Sequence, residues 1–356
     1  MILQIMKNLP LVSFCISTYK RPQFLKTAIE AILKQKYNNF EIVISEDDSE
    51  KTAEKVAESF KSKRIFYYKN KNHLGMTKSY NKAISLAKGE FITVLADDDP
   101  PTHDMLEVFT DALKQYPHAK AFFGGSYVNI TSRNIEKVTK LPQGFHSLIN
   151  KNQRYESLRL LKPKAFFRKF FKQEIFPHYQ WTTALIAKDI VGKIKGVPDY
   201  DSAHFIDYAY LLKIANLTDF VIINKELGVF ALHELSYGKK KDTLKEYEKG
   251  VVGFDKIISN LAKKFDCEKE YQKFLTDYVI MFLINRLRHY RVYKYKVDPK
   301  SLFKVYDDIS KELTFFSKRA TELYLKLNFH YIYDFISLIR ENYGFVKLRI
   351  KNMTLK

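Results

Sequence analysis

Short, nearly continuous apolar runs alternate with helix-periodic segments through the first third of the chain. Leu11 to Ser17, Phe40 to Ser45, Arg64 to Tyr68 and the run from Phe91 into Ala96 read as strands, rich in β-branched and aromatic residues and lacking a polar face. Helices are predicted between them, from Pro22 to about Lys36, from about Lys51 to Lys61 and from Thr77 to Lys88. Phe24, Leu25, Ala28, Ile29 and Ile32 recur at helical spacing on the first of these, and Tyr80, Ala83, Ile84 and Ala87 on the third. Pro22 suits a first helical position, and Gly89 ends the third helix. Strands buried on both faces and alternating with helices predict an α/β protein, a doubly wound, mostly parallel sheet with flanking helices.

The pattern continues less regularly. A helix is predicted from His103 to about Gln115, a strand from Ala119 to Tyr127, and a hairpin or loop from Val128 to Leu141. Trp181 to Ala187 resumes strand character, Phe205 to Asn216 reads as a helix, and Phe220 to Ile223 and Leu227 to Leu232 as two short strands. From Lys239 onward the pattern is mostly helical and rich in Lys, Tyr and Phe. The composition shift near Gly238 divides the chain into an α/β unit, 1–238, and a basic helical region, 239–356.

Carboxylates stand where the strands end. Glu46-Asp47-Asp48 follows the second strand, and Asp97-Asp98-Asp99 follows the fourth, before Pro100 and Pro101 stop it. The carboxyl edge of an open α/β sheet is where ligands bind. Adjacent acids repel each other unless a cation or a set of donors neutralises them. Mg²⁺ and Mn²⁺ take one or two carboxylates plus substrate phosphates. Asp and Pro also mark turns, and Thr102 or Asp99 is placed to cap a helix, so the triplet alone admits both readings. The first strand-to-helix turn, Ile16 to Arg21, has no glycine, which argues against a dinucleotide fingerprint or a phosphate-cradling loop.

Composition narrows the class. The 356 residues are 46% hydrophobic and 28% charged, as in a folded protein long enough for a substantial core. Cys15 and Cys267 form neither a metal-ligand pattern nor a disulfide framework, so a reducing cytoplasmic setting is expected. No stretch approaches the roughly 20 apolar residues of a membrane span, and no signal peptide is expected. The formal charge of +20 calls for an anionic partner. Lys151 to Lys172 holds eight Lys/Arg against one acid, with Phe166, Phe167, Phe170 and Phe171 among them. Arg286 to Lys304 holds seven against Asp298, with Tyr290, Tyr293, Tyr295 and Phe303. Such stretches suit an anionic membrane surface or single-stranded nucleic acid, and also a solvated helix face over an aromatic core.

Several short motifs in order make the first ~235 positions resemble the inverting family 2 glycosyltransferases of GT-A fold. They are Val12 to Tyr19, Glu41 to Ser49, Gly75 with Asn81, Ala87 to Ile92, and the Ala-Asp-Asp-Asp segment 96–99. Ile206-Asp207 ahead of Tyr210 to Lys213 follows, then Leu227 to Phe230 with His233 and Ser236. The resemblance implies that Ser17, Tyr19, Asp47 and Asn81 bind the nucleotide of the donor, with Asp47 accepting from the base N–H, as in uracil or thymine. It places Asp97 at the ribose, Asp98 on a Mn²⁺ or Mg²⁺ ion with Asp99 a further possible ligand, His233 over the metal or diphosphate, and Asp207 as the catalytic base. The implied partners are a UDP- or dTDP-sugar donor and a glycan or lipid-linked acceptor, met at the inner face of the plasma membrane in bacterial cell-surface polysaccharide or oligosaccharide synthesis. Two positions depart from the family pattern. Ala96 replaces the first Asp of the metal motif, and Ile206 replaces the acid beside the base. Trp181 reads as core rather than as an acceptor platform.

Two other functions remain in view. A nucleotidyltransferase shares this architecture, but its Gly-rich basic first loop is absent. A nucleic-acid-binding protein would use the charge, but the acidic sheet edge would repel phosphate without a metal. The helices of 239–356 are candidates for membrane docking, for oligomerisation or for covering the acceptor site.

Overall fold

The computed structural model describes residues 10–139, 143–147, 158–176, 179–234, 244–295, 299–314 and 316. Nine strands form one sheet: β1 (Val12–Thr18), β2 (Phe40–Glu46), β3 (Ile65–Lys69), β4 (Phe91–Ala96), β5 (Ala121–Ile130), β6 (Gly144–Ser147), β7 (Leu158–Leu161), β8 (Ala184–Ala187) and β9 (Phe220–Leu232). Their order is β3-β2-β1-β4-β8-β5-β9-β7, with β6 pairing β5. The first four are parallel, as the doubly buried runs predict. The second half is mixed: β8 runs antiparallel to β4 and β5, and β9 is parallel to β5 but antiparallel to β7.

Helices cover the sheet: α1 (Pro22–Leu33), α2 (Glu54–Ser59), α3 (Met76–Leu86), α4 (Met105–Gln115), α5 (Arg133–Thr139), α6 (Pro163–Phe171), α7 (Lys188–Lys193) and α8 (Ile206–Ala215). The C-terminal region adds α9 (Leu244–Lys264), α10 (Glu268–Val292) and α11 (Pro299–Glu312). One buried apolar cluster runs without a break from Val12 in β1 to Ile309 in α11. Removing the C-terminal helices would therefore expose the core that they share with the sheet.

Four expectations change. Phe220 to Leu232 is one strand, not two; its register against β5 shifts at Gly124 and Gly125, and the irregularity absorbs the polar middle of the run. Of the run from Val128 to Leu141, the described part, 128–139, is the end of β5 followed by α5, and 140–141 lie outside the described residues. Trp181 to Thr183 is a 3-10 turn leading into β8, with Trp181 buried against Tyr80 and Tyr210.

The fourth change decides among the readings of the basic-aromatic stretch, of which residues 151–157 lie outside the described set: the helix face over an aromatic core is the one found. Phe166, Phe167, Phe170 and Phe171 are buried in α6, where they meet Phe220, Phe265, Tyr271 and Phe274. The basic side chains beside them pair with acids distant in sequence: Lys162 with Asp219, Lys164 with Asp266, Arg168 with Glu270. The stretch is an amphipathic helix over an aromatic core. Its phenylalanines are not available to a lipid interface.

Candidate active site

Register brings the strand ends together. Ser17 lies opposite both Ser45 and Ala96, and Thr18 opposite Glu46, so the two acidic segments flank the end of β1. Their environments differ. Glu46 is fully buried and accepts from the Ala53 N–H (2.6 Å), from Tyr67 Oη and from Thr52 Oγ1 (3.3 Å). Asp48 accepts from the Glu50 N–H and Thr52 Oγ1. Asp47 holds the loop after β3: Oδ1 accepts from Asn70 Nδ2 (3.1 Å) and the Leu74 N–H (2.7 Å), and Oδ2 from the Gly75 N–H (2.8 Å). His73 Nδ1 lies 3.0 Å from the same Oδ2. Gly75 has φ 81°, a left-handed conformation that glycine adopts freely and that starts α3. Three N–H donors thus hold the Asp47 carboxylate, and His73, whose side chain is 63% exposed, also lies 3.2 Å from the Asp47 backbone O through Nδ1.

The triplet after β4 is organised differently. Asp97 is fully buried, and its carboxylate accepts from Thr18 Oγ1 (2.7 Å) and Arg21 Nη2. Burial pushes Asp97 up to about 7, against the lowering effect of Arg21. Each of its oxygens thus accepts one bond from within the protein, and Asp97 is not among the residues lining the cavity described below. Asp98 is partly open, and its Oδ2 receives Arg21 Nη1 (2.8 Å) and faces His233 Nε2 (3.1 Å). Burial would raise Asp98, but the His233 hydrogen bond and the Arg21 charge outweigh it and hold the carboxyl below the usual range. Asp99 is buried, accepts from the Ala231 N–H (2.9 Å) and from Gln180, and is pushed well up by burial and by the Asp98 charge. It ties the end of β4 to β9 two residues before His233.

A cavity of about 990 Å³ opens beside these residues. Ser17, Tyr19, Arg21, Asp47, His73 and Lys78 line the side toward the sheet edge; Asp199, Tyr200, Asp201, Ser202 and Glu246 line the other. Tyr19 is 46% exposed, and its ring lies 4.9 Å from that of His73, an aromatic shelf at the mouth. Asn81 is not part of the lining. Its amide is spent on a clamp, Nδ2 donating to the Val197 O (2.9 Å) and Oδ1 accepting from the Val197 N–H (2.8 Å). That clamp holds the Gly196 turn against α3, a structural part for the residue expected to bind the nucleotide.

Asp207 lies in the first turn of α8, just after Phe205, whose φ of 63° is unusual for a bulky residue. Packing against Tyr208, Tyr247, Phe254 and Tyr278 holds Phe205 there. Burial pushes Asp207 up to about 7, opposed by the Tyr208 N–H that it accepts at 2.9 Å. Its charge also helps burial raise the phenol of Tyr200, a residue of the cavity wall. Helix α9 supports that wall: Gly250 and Gly253 pack so closely on His204 and Tyr200 that a Cβ would fall 2.7 and 2.5 Å from their atoms. Ser202 donates to the Glu246 O (2.8 Å). Ser236 lies outside the described residues.

Arg21 and His73 are the residues that sequence reasoning missed. The available signal was position: Arg21 stands between the end of β1 and Pro22, and parallel pairing with β4 brings that turn beside Asp97. Asp98 and His233 form a mixed oxygen and nitrogen donor pair, and Asp98 is already in its charged form. Among the described residues no three His, Cys, Asp or Glu side chains converge as a complete cation site. The pair therefore fits an ion that draws its other ligands from a substrate diphosphate.

A cavity of this size at the carboxyl edge of an open, mostly parallel sheet, with acids in its lining, stands where folds of this class bind their ligands. The model of glycosyl transferase family 2 matches residues 13–194, and the chain belongs to that family. It is 28% identical over 227 residues to a putative colanic acid biosynthesis glycosyl transferase, WcaA, of Escherichia coli, covering 62% of this chain and 75% of the relative. A shorter match, 33% over 94 residues, covers 26% of this chain and 30% of a GalNAc(5)-diNAcBac-PP-undecaprenol beta-1,3-glucosyltransferase of Campylobacter jejuni. The fold resembles that of S. aureus TarS 1–349 in complex with UDP-GlcNAc, with a TM-score of 0.59, 14% identity, and coverage of 85% of this chain and 88% of that one. The family match ends before Asp207 and His233, so their roles rest on the geometry.

Proposed function

We propose that this glycosyltransferase moves a hexose or N-acetylhexosamine from a UDP- or dTDP-sugar to a glycan or lipid-linked acceptor, in cell-surface polysaccharide or oligosaccharide synthesis, by one inverting displacement. Residues 1–238 are the catalytic unit, and the helices after 239 complete its wall through Glu246. The observation that carries the reading is the meeting of Asp98 and His233, 135 residues apart, behind Arg21, the residue through which they reach the cavity lining. One protein of similar fold, TarS, binds UDP-GlcNAc, which favours a uridine donor here.

In this reading the base rests on the Tyr19–His73 shelf, its N–H taking the place of His73 on Asp47. Ser17 faces the ribose. Asp98 and His233 would hold Mn²⁺ or Mg²⁺, which when bound neutralises the leaving diphosphate. Asp207 takes the proton from the acceptor hydroxyl as that oxygen attacks the anomeric carbon. Burial leaves this carboxylate more basic than an exposed one, which suits it to a base at neutral pH. The sugar and acceptor lie toward the Asp199–Ser202 wall. Remaining positive charge directs the chain to an anionic membrane surface, although no helix among the described residues is long and apolar enough to cross a membrane.

A thermal-shift and hydrolysis screen of UDP-, dTDP- and GDP-sugars, with and without Mn²⁺, tests the reading. Stabilisation and slow hydrolysis confined to one pyrimidine donor are expected. Indifference to every nucleotide sugar, with tight salt-sensitive binding to single-stranded nucleic acid, would overturn it.

A further inference from the structure

Arg21 occupies the place where a cation belongs. Its Nη1 lies 2.8 Å from Asp98 Oδ2 and its Nη2 contacts Asp97. The oxygen that it holds on Asp98 is the one that faces His233 Nε2. Its guanidinium also stands 5.6 Å over the Phe24 ring, and Phe24 stacks on His233 with centroids 4.4 Å apart. One residue thus touches both carboxylates and the ring that backs the histidine. It is not sealed in: the Arg21 side chain is 27% exposed and lines the cavity. Pro22 directly after it restricts its backbone, so motion is left to the side chain.

A guanidinium and a divalent ion cannot share Asp98 Oδ2. Both are cations, and like charges a few ångströms apart in a partly dry site repel strongly. A diphosphate, by contrast, offers oxygens that match a guanidinium as well as a carboxylate does.

We propose that Arg21 is a displaceable internal cation: without donor it neutralises Asp97 and Asp98, and when a nucleoside diphosphate enters, its guanidinium moves to the diphosphate and releases Asp98 for the metal. This rests on the reading that an ion binds at Asp98. Two consequences follow. Metal affinity is weak without nucleotide, because the ion must displace Arg21 unaided. Nucleotide and metal then strengthen each other's binding through this side chain, and by linkage the coupling is reciprocal. Asp97, which has no opening to the cavity, acts as the resting seat of the guanidinium.

The test is Mn²⁺ binding to the full chain, read as the free-ion EPR signal with and without UDP, for the wild type, Arg21→Gln and Arg21→Lys. The account predicts that Arg21→Gln binds Mn²⁺ about tenfold more tightly than wild type in the absence of UDP. The gain in Mn²⁺ affinity on adding UDP should shrink by a similar factor. Arg21→Lys, which retains one charge but reaches only one carboxylate, should fall between them. It decides the matter if the glutamine variant proves unstable. Equal Mn²⁺ binding by all three proteins, with the UDP effect unchanged, would overturn the role of Arg21 while leaving the metal site standing. UDP binding with no Mn²⁺ bound by any of them would remove the metal site itself, and this proposal with it.

Discussion

The two acidic strand ends look alike in sequence and do opposite work. After β2, Glu46, Asp47 and Asp48 meet mainly backbone N–H groups and hydroxyls of the adjoining turns: Ala53, Leu74, Gly75, Glu50 and Thr52. These acids hold their turns together, and Asp47 also faces the cavity beside His73. After β4, Asp97 and Asp98 share the guanidinium of Arg21, which lines the cavity, and Asp98 faces the His233 imidazole. A carboxylate satisfied by backbone donors is locked, because its partners cannot leave without unfolding a turn. A carboxylate satisfied by side-chain cations can exchange them for a metal or a substrate. The nature of the donor, not the number of acids, separates scaffold from site.

The strongest way to break this contrast is substitution at Asp98. Asp98→Ala should lower sugar transfer by about a thousandfold, the scale of several kcal/mol of lost charge stabilisation in the transition state. Its melting temperature should stay within a few degrees of wild type, since no turn depends on it. A steady-state assay beside a melting curve checks both halves.

The pH profile comes next. Asp207 must be deprotonated to accept a proton, and burial raises it to about 7. The rate kcat/KM should therefore rise about tenfold per pH unit below that value and level off above it. The stability effect has the opposite sign. A carboxyl raised on folding favours the folded state at low pH and loses that contribution as pH climbs through about 7. Asp207→Asn, which mimics the neutral acid, should lose transfer, melt higher than wild type at pH 8, by less at pH 5, and match it only below about pH 4. Melting scans at these pH values read the difference.

At the other strand end, Asp47→Ala should act chiefly on stability. It strips the loop 70–75 of its acceptor and should cost about 2–3 kcal/mol, measured by urea unfolding. The smallest effect belongs to Thr52→Val, which removes one hydroxyl donor to Asp48 and Glu46. A loss of about 1 kcal/mol with transfer unchanged within twofold is expected.

The parallel half of the sheet was legible because strands buried on both faces leave unbroken apolar runs. The edges were not. Strands β6 and β7 have four residues each and carry no periodicity to read. Of the site, Asp98, His233 and Asp207 were visible as residue types in a familiar order. The clamp of Asn81 and the contacts of Arg21 were missed for one reason: each is defined by a partner far away, Val197 at a separation of 116 residues and Asp98 at 77. Likewise Lys162 to Lys172 looked like a charged surface stretch, until distant acids and aromatic helices were packed against it. Local pattern reports which face is apolar. It does not report what that face meets.

The central claim is that the end of β4, not that of β2, receives the leaving group. A crystal structure with UDP and Mn²⁺ tests it most directly. The account predicts the ion about 2.1 Å from a carboxylate oxygen of Asp98, the diphosphate beside Arg21, and the uracil on the Tyr19–His73 shelf. A diphosphate or ion bound among Glu46, Asp47 and Asp48, with Arg21 still closed on Asp97 and Asp98, would contradict it.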